Sequence, residues 1–360
     1  MATLPMEAVR AAVERVAPGA RIVACDALSD AGAGIARKGG GYGRPVRVTV
    51  EPSAGPRATF VFRTATPNAF GHDRRSDRIA DLALAYDTFS LVPDHVRALD
   101  FGFVAERGVV SAAGAGEPYV LTTYAEGELY AEDLRRIGRE GSAGALDLAR
   151  CEALARWLGA LHAERLDDRV AWERAIRDLV GDGEGIFGVV DAYGTDVPGA
   201  PPERLEALER RCVGWRWRLR PRVERLRRTH GDFHPFNVVF SDGTRFTPLD
   251  ASRGCAGDPA DDVVAMAINY VFFALQTPAA WERGFAPLWR RFWAAYDEAT
   301  GDRGVRETAP PFFAWRALVL GCPAFYPDLS GRARDALLGL AERALDAGAL
   351  DSGSVEEPFR

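Results

Sequence analysis

The sequence predicts an α+β fold in two lobes, a β-rich amino-terminal third and a larger, mainly helical remainder. Three observations carry this. Short runs alternating apolar with polar residues dominate up to Thr123, and long stretches with apolar residues at helical spacing dominate after it. The third is length, since 360 residues exceed the roughly 100–200 of one average domain. A hydrophobic content of 47% supplies a sizeable core, and a net charge of only -6 excludes a largely disordered chain.

Residues 6–16 read as a short amphipathic helix. A glycine-dense stretch, residues 31–43, ends Lys38-Gly39-Gly40-Gly41-Tyr42-Gly43. Residues 45–51 alternate Val46, Val48 and Val50 with polar neighbours, and residues 58–64 continue the β pattern. Residues 76–89 are helical, with Ile79, Leu82, Tyr86 and Phe89 at helix spacing, and apolar runs at 101–105 and 119–123 complete the first lobe. The expected division is an amino-terminal lobe over 1–121, a hinge over 122–127 and a carboxy-terminal lobe over 128–360. In the last, Leu154, Trp157, Leu158 and Leu161 form one helical stripe, and Phe285, Leu288, Trp289, Phe292 and Tyr296 another. Residues 198–202 are a Pro/Gly connector, and a further helix spans about 333–345.

Composition also excludes functions. The longest apolar run, residues 263–275, is interrupted by Asn269 and falls short of the roughly 20 residues of a membrane helix. The amino terminus lacks the basic-then-apolar order of a secretory signal, so the expected location is the cytoplasm, with no membrane partner. Cys25, Cys151, Cys212, Cys255 and Cys322 are odd in number and contain no C-x-x-C pair, which reads as reduced structural thiols. The acidic balance argues against nucleic acid as a partner. Of 45 basic residues all but Lys38 are arginine, so a site that ordinarily uses lysine must here use arginine.

One non-helical island interrupts the second lobe: Thr229-His230-Gly231-Asp232-Phe233-His234-Pro235-Phe236-Asn237, then an apolar run, Asp242-Gly243, and a return to Asp250. Asp-Gly between apolar runs is a hairpin signal, and folding there returns Asp250 towards Asn237. An amide oxygen and a carboxylate brought together are hard ligands of the kind Mg²⁺ takes, its remaining positions filled by phosphate and water. Asp232, a carboxylate five residues before the amide, is spaced so that it can face an incoming hydroxyl.

At these residues the chain resembles a known family. His-x-Asp-x-x-x-x-Asn followed by a second Asp is the catalytic-loop and metal-ligand pattern of kinases. His230-Gly231-Asp232, with Asp250 followed by Gly257-Asp258-Pro259-Ala260-Asp261-Asp262, looks like the aminoglycoside phosphotransferase and choline kinase branch. The resemblance implies a bilobal protein-kinase-like fold. It implies that Asp232 orients or deprotonates the acceptor hydroxyl, His230 braces the catalytic loop, and Asn237 and Asp250 hold Mg²⁺. It implies further that Asp262 supports the loop, with Asp258 either structural or in contact with substrate. The zinc-protease reading of His230 and His234 fails because the glutamate base is absent and Pro235 follows. Asp100-Phe101-Gly102 spells a kinase metal motif but precedes the catalytic loop, and reads as a strand-edge turn. The arginine run over 216–228 reads as a solvated helix face.

In the first lobe, alternation puts Val61 and Arg63 on the face opposite Phe60 and Phe62. The resemblance implies that Arg63 takes the place of the kinase lysine and that Val61 lies beside the adenine, and of Asp77 and Asp81 on the next helix it makes Asp81 the expected partner of Arg63. Gly40 and Gly41 are candidates to cover phosphate, and backbone at Thr123 and Ala125 to hold adenine. The expected function is Mg²⁺-dependent transfer of the γ-phosphoryl of ATP (or GTP) to a hydroxyl of a small molecule, by a monomer or homodimer. An aminoglycoside-like amino sugar is the favoured acceptor, with Asp182, Glu184 and Asp191 as candidate contacts to ammonium groups or as mere solvent-facing acids. Choline, amino-alcohol, macrolide and secondary-metabolite acceptors share the motifs. A catalytically impaired, nucleotide-binding regulatory protein is the alternative that arginine at position 63 raises.

Overall fold

The computed structural model describes residues 6–28, 43–68, 72, 75–104, 117–251, 253–351 and 353–359. Helix α1 (Met6–Val16) precedes strands β1 (Arg21–Ala27), β2 (Gly43–Glu51) and β3 (Ala58–Ala65), helix α2 (Arg75–Thr88), and strands β4 (Ala98–Phe103) and β5 (Pro118–Thr123). The strands form one antiparallel sheet ordered β1-β2-β3-β5-β4. The period-two pattern of β3 decides which face does what. Phe60 and Phe62 pack with Val9, Ala12 and Val13 of α1 and with Tyr119 and Leu121 of β5. On the other face Ala65 and Val120 pack against Leu82 of α2, and Val61 and Arg63 share that face, half-buried. Sequence reading overlooked β1, an edge strand whose Ile22, Val23, Ala24 and Cys25 show no clean alternation and are all half-buried.

The second lobe follows with β6 (Glu128–Leu129), α3 (Tyr130–Glu140), α4 (Ala145–Leu161), α5 (Arg169–Gly181), α6 (Ile186–Asp191) and α7 (Pro202–Leu219). Next come β7 (Arg227–Arg228), β8 (Val238–Asp242), β9 (Arg245–Pro248) and β10 (Ala256–Gly257), then α8 (Pro259–Gln276), α9 (Ala286–Thr300), α10 (Gly304–Gly321) and α11 (Gly331–Ala347). Helix α8 is the axis of the core: fifteen of its residues are buried, so it reads as apolar all round rather than amphipathic. None of the described helices is long and apolar enough to cross a membrane.

Two small sheets position the non-helical island. Strands β8 and β9 form the expected hairpin, Asp242 pairing with Arg245 around Gly243 at φ +53°, and β6 pairs with β8 through Leu129 and Val239. The chain leaving the first lobe is thereby tied to the β8–β9 hairpin. Gly127 makes the approach close, because at φ +138° a Cβ would run into the carbonyl oxygen of Phe240. Strands β7 and β10 pair Arg228 with Ala256 and bracket the loop between them.

Candidate active site

The loop from Thr229 to Asn237 is held from below by Asp262. Asp258 caps α8, its carboxylate accepting from the Ala260 N–H (2.9 Å) with Pro259 in the first turn. One turn in, Asp262 is fully buried and accepts from the backbone N–H groups of His230 and Gly231, both at 2.7 Å. His162 Nε2 lies 3.1 Å from the same carboxylate, and its Nδ1 2.9 Å from the Tyr296 hydroxyl. Asp258 is structural: it holds the buried Arg225 through both oxygens and accepts from Thr308 Oγ1 at 3.0 Å. The arginine run is therefore only partly a solvated face, since Arg225 is buried between Asp258 and Asp302.

Above this base, Asp232 lies in the cleft. Its Oδ1 accepts from Arg316 Nη1 of α10 at 2.5 Å, Arg253 Nη2 is 3.9 Å away, and His234 Nε2 is 3.5 Å from Oδ2. Burial alone would raise the pKa of this carboxyl, but His234, Arg253 and Arg316 hold it well below the ordinary range. Asn237 Nδ2 donates to the Asp232 carbonyl (3.0 Å) and to its Oδ2 (3.2 Å), which turns the amide oxygen the other way. His230 is fully buried, and its Nδ1 accepts from the Asp232 N–H at 3.2 Å. Burial keeps its imidazole neutral. It positions the loop and offers nothing to a reactant, so the catalytic grouping of His230 with Asp232 reduces to a bracing role. Gly231, at φ +85°, lets the chain turn beside Arg253, whose Cβ a side chain here would crowd.

The hairpin returns the chain as expected. The Leu249 N–H donates to the Asn237 carbonyl at 2.8 Å, and the next residue, Asp250, sits in the left-handed region at φ +62°. Asp250 Oδ1 accepts from Arg63 Nη1 at 2.8 Å across the two lobes. This corrects the expected pairing of Arg63 with Asp81. Asp81 adds negative potential at Arg63, but its carboxylate contacts His72 Nε2 at 2.5 Å. The longer arginine reaches past α2 to the hairpin.

Other candidates sort as follows. Asp182 and Glu184 line a cleft of about 560 Å³ together with Asp77, Asp81, Asp178 and Asp261, whereas Asp191, at the end of α6, does not. Burial pushes Glu184 up to about 6. The Thr123 N–H donates to the Arg97 carbonyl at 2.9 Å and its hydroxyl accepts from the Arg97 N–H at 2.8 Å. Gly40 and Gly41 lie outside the described residues. Asp100 belongs to strand β4 rather than to a turn, and binds Arg15 (3.0 Å) and the Tyr119 hydroxyl (2.5 Å), a purely structural use.

Four site residues escaped the sequence reading: Arg316, Arg253, His72 and His95. Arg316 interrupts the apolar run Phe312-Phe313-Ala314-Trp315, a charge on a buried helix face that signals an internal ion pair. His95 carried no local signal. Its Nδ1 contacts the Val96 carbonyl at 2.7 Å and its Nε2 accepts from the Ala251 N–H at 3.1 Å, so both nitrogens are used by a neutral ring that steadies the residue after Asp250.

Burial and the neighbouring His230 push His95 down to about 3 from 6.5. The folded state keeps the neutral ring while the unfolded chain binds a proton below pH 6.5. The stabilisation is therefore complete above pH 6.5 and falls with further acidification, by about 2 kcal/mol on reaching about pH 5. Urea midpoints measured across this window are expected to decline, and less steeply in His95→Gln. An unchanged slope in the variant would assign the acid sensitivity elsewhere.

A model described as the phosphotransferase enzyme family matches residues 92–307. A thermostable mutant of aminoglycoside phosphotransferase APH(4)-Ia, in ternary complex with AMP-PNP and hygromycin B, superimposes with a TM-score of 0.52 at 16% identity. That alignment covers 95% of this chain and 99% of that one. APH(4)-Ia itself gives 0.51 at 15% identity, covering 97% and 99%. Choline kinase LicA from Streptococcus pneumoniae gives 0.49 at 10%, covering 95% and 99%. No curated protein sequence matches. With the match spanning more than half its length and its two lobes arranged as in protein-kinase-like structures, the chain belongs to the phosphotransferase enzyme family.

Proposed function

We propose that this phosphotransferase moves the γ-phosphoryl group of ATP or GTP to a hydroxyl of a small amino-bearing alcohol, with Asp232 as the residue that receives the hydroxyl. The observation that carries the reading is a chain of contacts: Asn237 bonds to Asp232, the Leu249 N–H ties the residue before Asp250 to Asn237, and Arg63 reaches Asp250 from the other lobe. In this reading residues 1–121 and 128–360 are the two lobes and 122–127 the hinge. The backbone at Ala125 meets the nucleotide base, with Val61 beside it.

The donor set fits magnesium. Asn237 presents an amide oxygen and Asp250 a carboxylate, both hard ligands. A bound Mg²⁺ would neutralise charge on the phosphates. The protein's own part is positioning. The acceptor oxygen bonds to the γ-phosphorus as the bond to the β–γ bridging oxygen breaks, the nucleoside diphosphate leaves, and the hydroxyl proton passes to the Asp232 carboxylate. A strongly acidic Asp232 suits a late transfer, in which the carboxylate chiefly orients the hydroxyl until the new bond has formed.

The acceptor is read from the wall of the adjoining cleft of about 560 Å³, which Gly231 rather than Asp232 lines and where seven carboxylates, Asp258 among them, accompany two arginines, Arg174 and Arg253. Such a wall favours a polycationic, hydrogen-bonding acceptor, as in aminoglycosides. A quaternary ammonium such as choline wants open aromatic faces. The Trp315 ring is instead stacked by Arg316 at 4.0 Å and Arg253 at 4.5 Å.

The test is Mg-nucleotide turnover with a panel of amino-sugar, amino-alcohol and macrolide acceptors, scored by the mass of one added phosphoryl group. No transfer to any of them would favour a nucleotide-binding regulator. Arg63→Ala is expected to raise the nucleotide KM by about 10- to 100-fold, the worth of one or two charge-assisted hydrogen bonds. An unchanged KM would remove Arg63 from the phosphate site.

A further inference from the structure

We propose that His72, Asp81 and Glu184 form a binding site for a divalent transition-metal ion of the zinc class, bridging the two lobes and separate from the Asn237–Asp250 pair. One ligand atom from each residue lies within 4.8 Å of the other two. The three come from different parts of the fold: the segment before α2, α2 itself, and the turn between α5 and α6. His72 Nε2 is 2.5 Å from Asp81 Oδ2 and 3.3 Å from Glu184 Oε1.

The hydrogen bonding around the ring gives this meeting its meaning. Asn68 Nδ2 donates to the Thr66 carbonyl at 3.1 Å, which turns the Asn68 amide oxygen towards His72 Nδ1, 3.2 Å away. An amide oxygen only accepts, so Nδ1 carries the hydrogen. Nε2 therefore carries the proton that its 2.5 Å contact with Asp81 requires, and a metal ion taking the place of that proton would meet one imidazole lone pair and two carboxylates. Three ligand atoms converge where a cation belongs, on a His72 that is only 3% exposed, with the Asp81 carboxylate open to solvent on one side. The other oxygen of Glu184 is held by Arg253 Nη2 at 3.0 Å, which leaves Oε1 for the ion.

The donor chemistry selects the ion. One imidazole nitrogen with two carboxylate oxygens suits zinc or cobalt in a four-coordinate site, the fourth position opening on the cleft. Magnesium, which prefers six oxygens in near-octahedral order, is a poor match. Asn68 plays the outer-shell part usual for a metal-binding histidine, fixing tautomer and ring orientation. The ion would tie α2 to the turn before α6, and so hold the lobes together beside Arg63, whose charge already feels both Asp81 and Glu184.

The experiment is titration of the untagged full-length chain with Co²⁺, without nucleotide and at neutral pH, followed by visible absorption and competed with Zn²⁺. One saturable equivalent with a tetrahedral spectrum is expected. His72→Ala should abolish it, Glu184→Gln should weaken it at least ten-fold, and Asn68→Ala should weaken it about 10- to 100-fold without touching a ligand. Asp250→Asn should leave it intact, which keeps this site's fate distinct from that of the proposed nucleotide metal. Circular dichroism confirms folding, and if His72→Ala fails to fold the other two variants decide. Absence of saturable binding, with only a proton held between the groups, overturns the proposal. So does binding that survives Glu184→Gln and Asn68→Ala unchanged but disappears in Asp250→Asn.

Discussion

Asp232→Asn is expected to lower kcat by about 10²- to 10⁴-fold, the usual contribution of a positioned proton acceptor, with the nucleotide KM and the melting temperature nearly unchanged. Asparagine keeps the shape of the side chain and an oxygen able to accept from Arg316. Arg316 also retains Asp261 Oδ1 at 2.8 Å and the Gly231 carbonyl at 3.1 Å, so the α10 contact survives. What disappears is the negative charge facing the acceptor hydroxyl. In the parent enzyme His234, Arg253 and Arg316 keep that charge in place well below the ordinary carboxylate range. The acid limb of kcat against pH should therefore lie below the ordinary carboxylate range wherever the protein stays folded. Near-normal turnover in Asp232→Asn would mean the carboxylate is no more than an anchor for Arg316 and Arg253.

The parts of this site that could be read in advance were those with local signals. Asp242-Gly243 specifies its own turn, so the return of Asp250 to Asn237 followed from a few consecutive residues. Period-two alternation put Arg63 on the cleft face of β3 without any knowledge of what it meets there. The partner was misassigned because the kinase pattern points to a carboxylate on the next helix, Asp81, while Asp250 lies 187 residues away. Arg316 reaches Asp232 over 84 residues, and His95 reaches Ala251 over 156. Such contacts are set by the packing of α10 against α8 and of the first lobe on the second, and no short pattern encodes them. Strands β6, β7 and β10 were illegible for another reason: two residues are too few to show a period. Asp258 and Asp262 show how one motif divides between roles. Both sit at the start of α8, yet one faces Arg225 and the body of the lobe, and the other faces the catalytic loop.

That division sets up the second large effect. Asp262→Ala is expected to destabilise the protein by about 2–5 kcal/mol, because it strands the N–H groups of His230 and Gly231 in a dry interior with no acceptor, at about 1–3 kcal/mol each. The melting temperature should fall by roughly 5–15 °C for a lobe of this size. His162 also loses its carboxylate partner. The loss of function should exceed what unfolding explains. Measured well below the variant's melting temperature, kcat should drop while the nucleotide KM holds, if Arg63 and the first lobe bind the nucleotide as proposed. The reason is geometric: Asp232 follows directly on the two residues whose N–H groups Asp262 fixes, and a shift of that backbone moves the carboxylate out of line with the reacting oxygen. Asp262→Asn provides the graded case, since its single acceptor oxygen can serve one of the two N–H groups. An Asp262→Ala protein with parental melting and parental kcat would show that the catalytic loop keeps its shape unaided, and would remove α8 from the machinery.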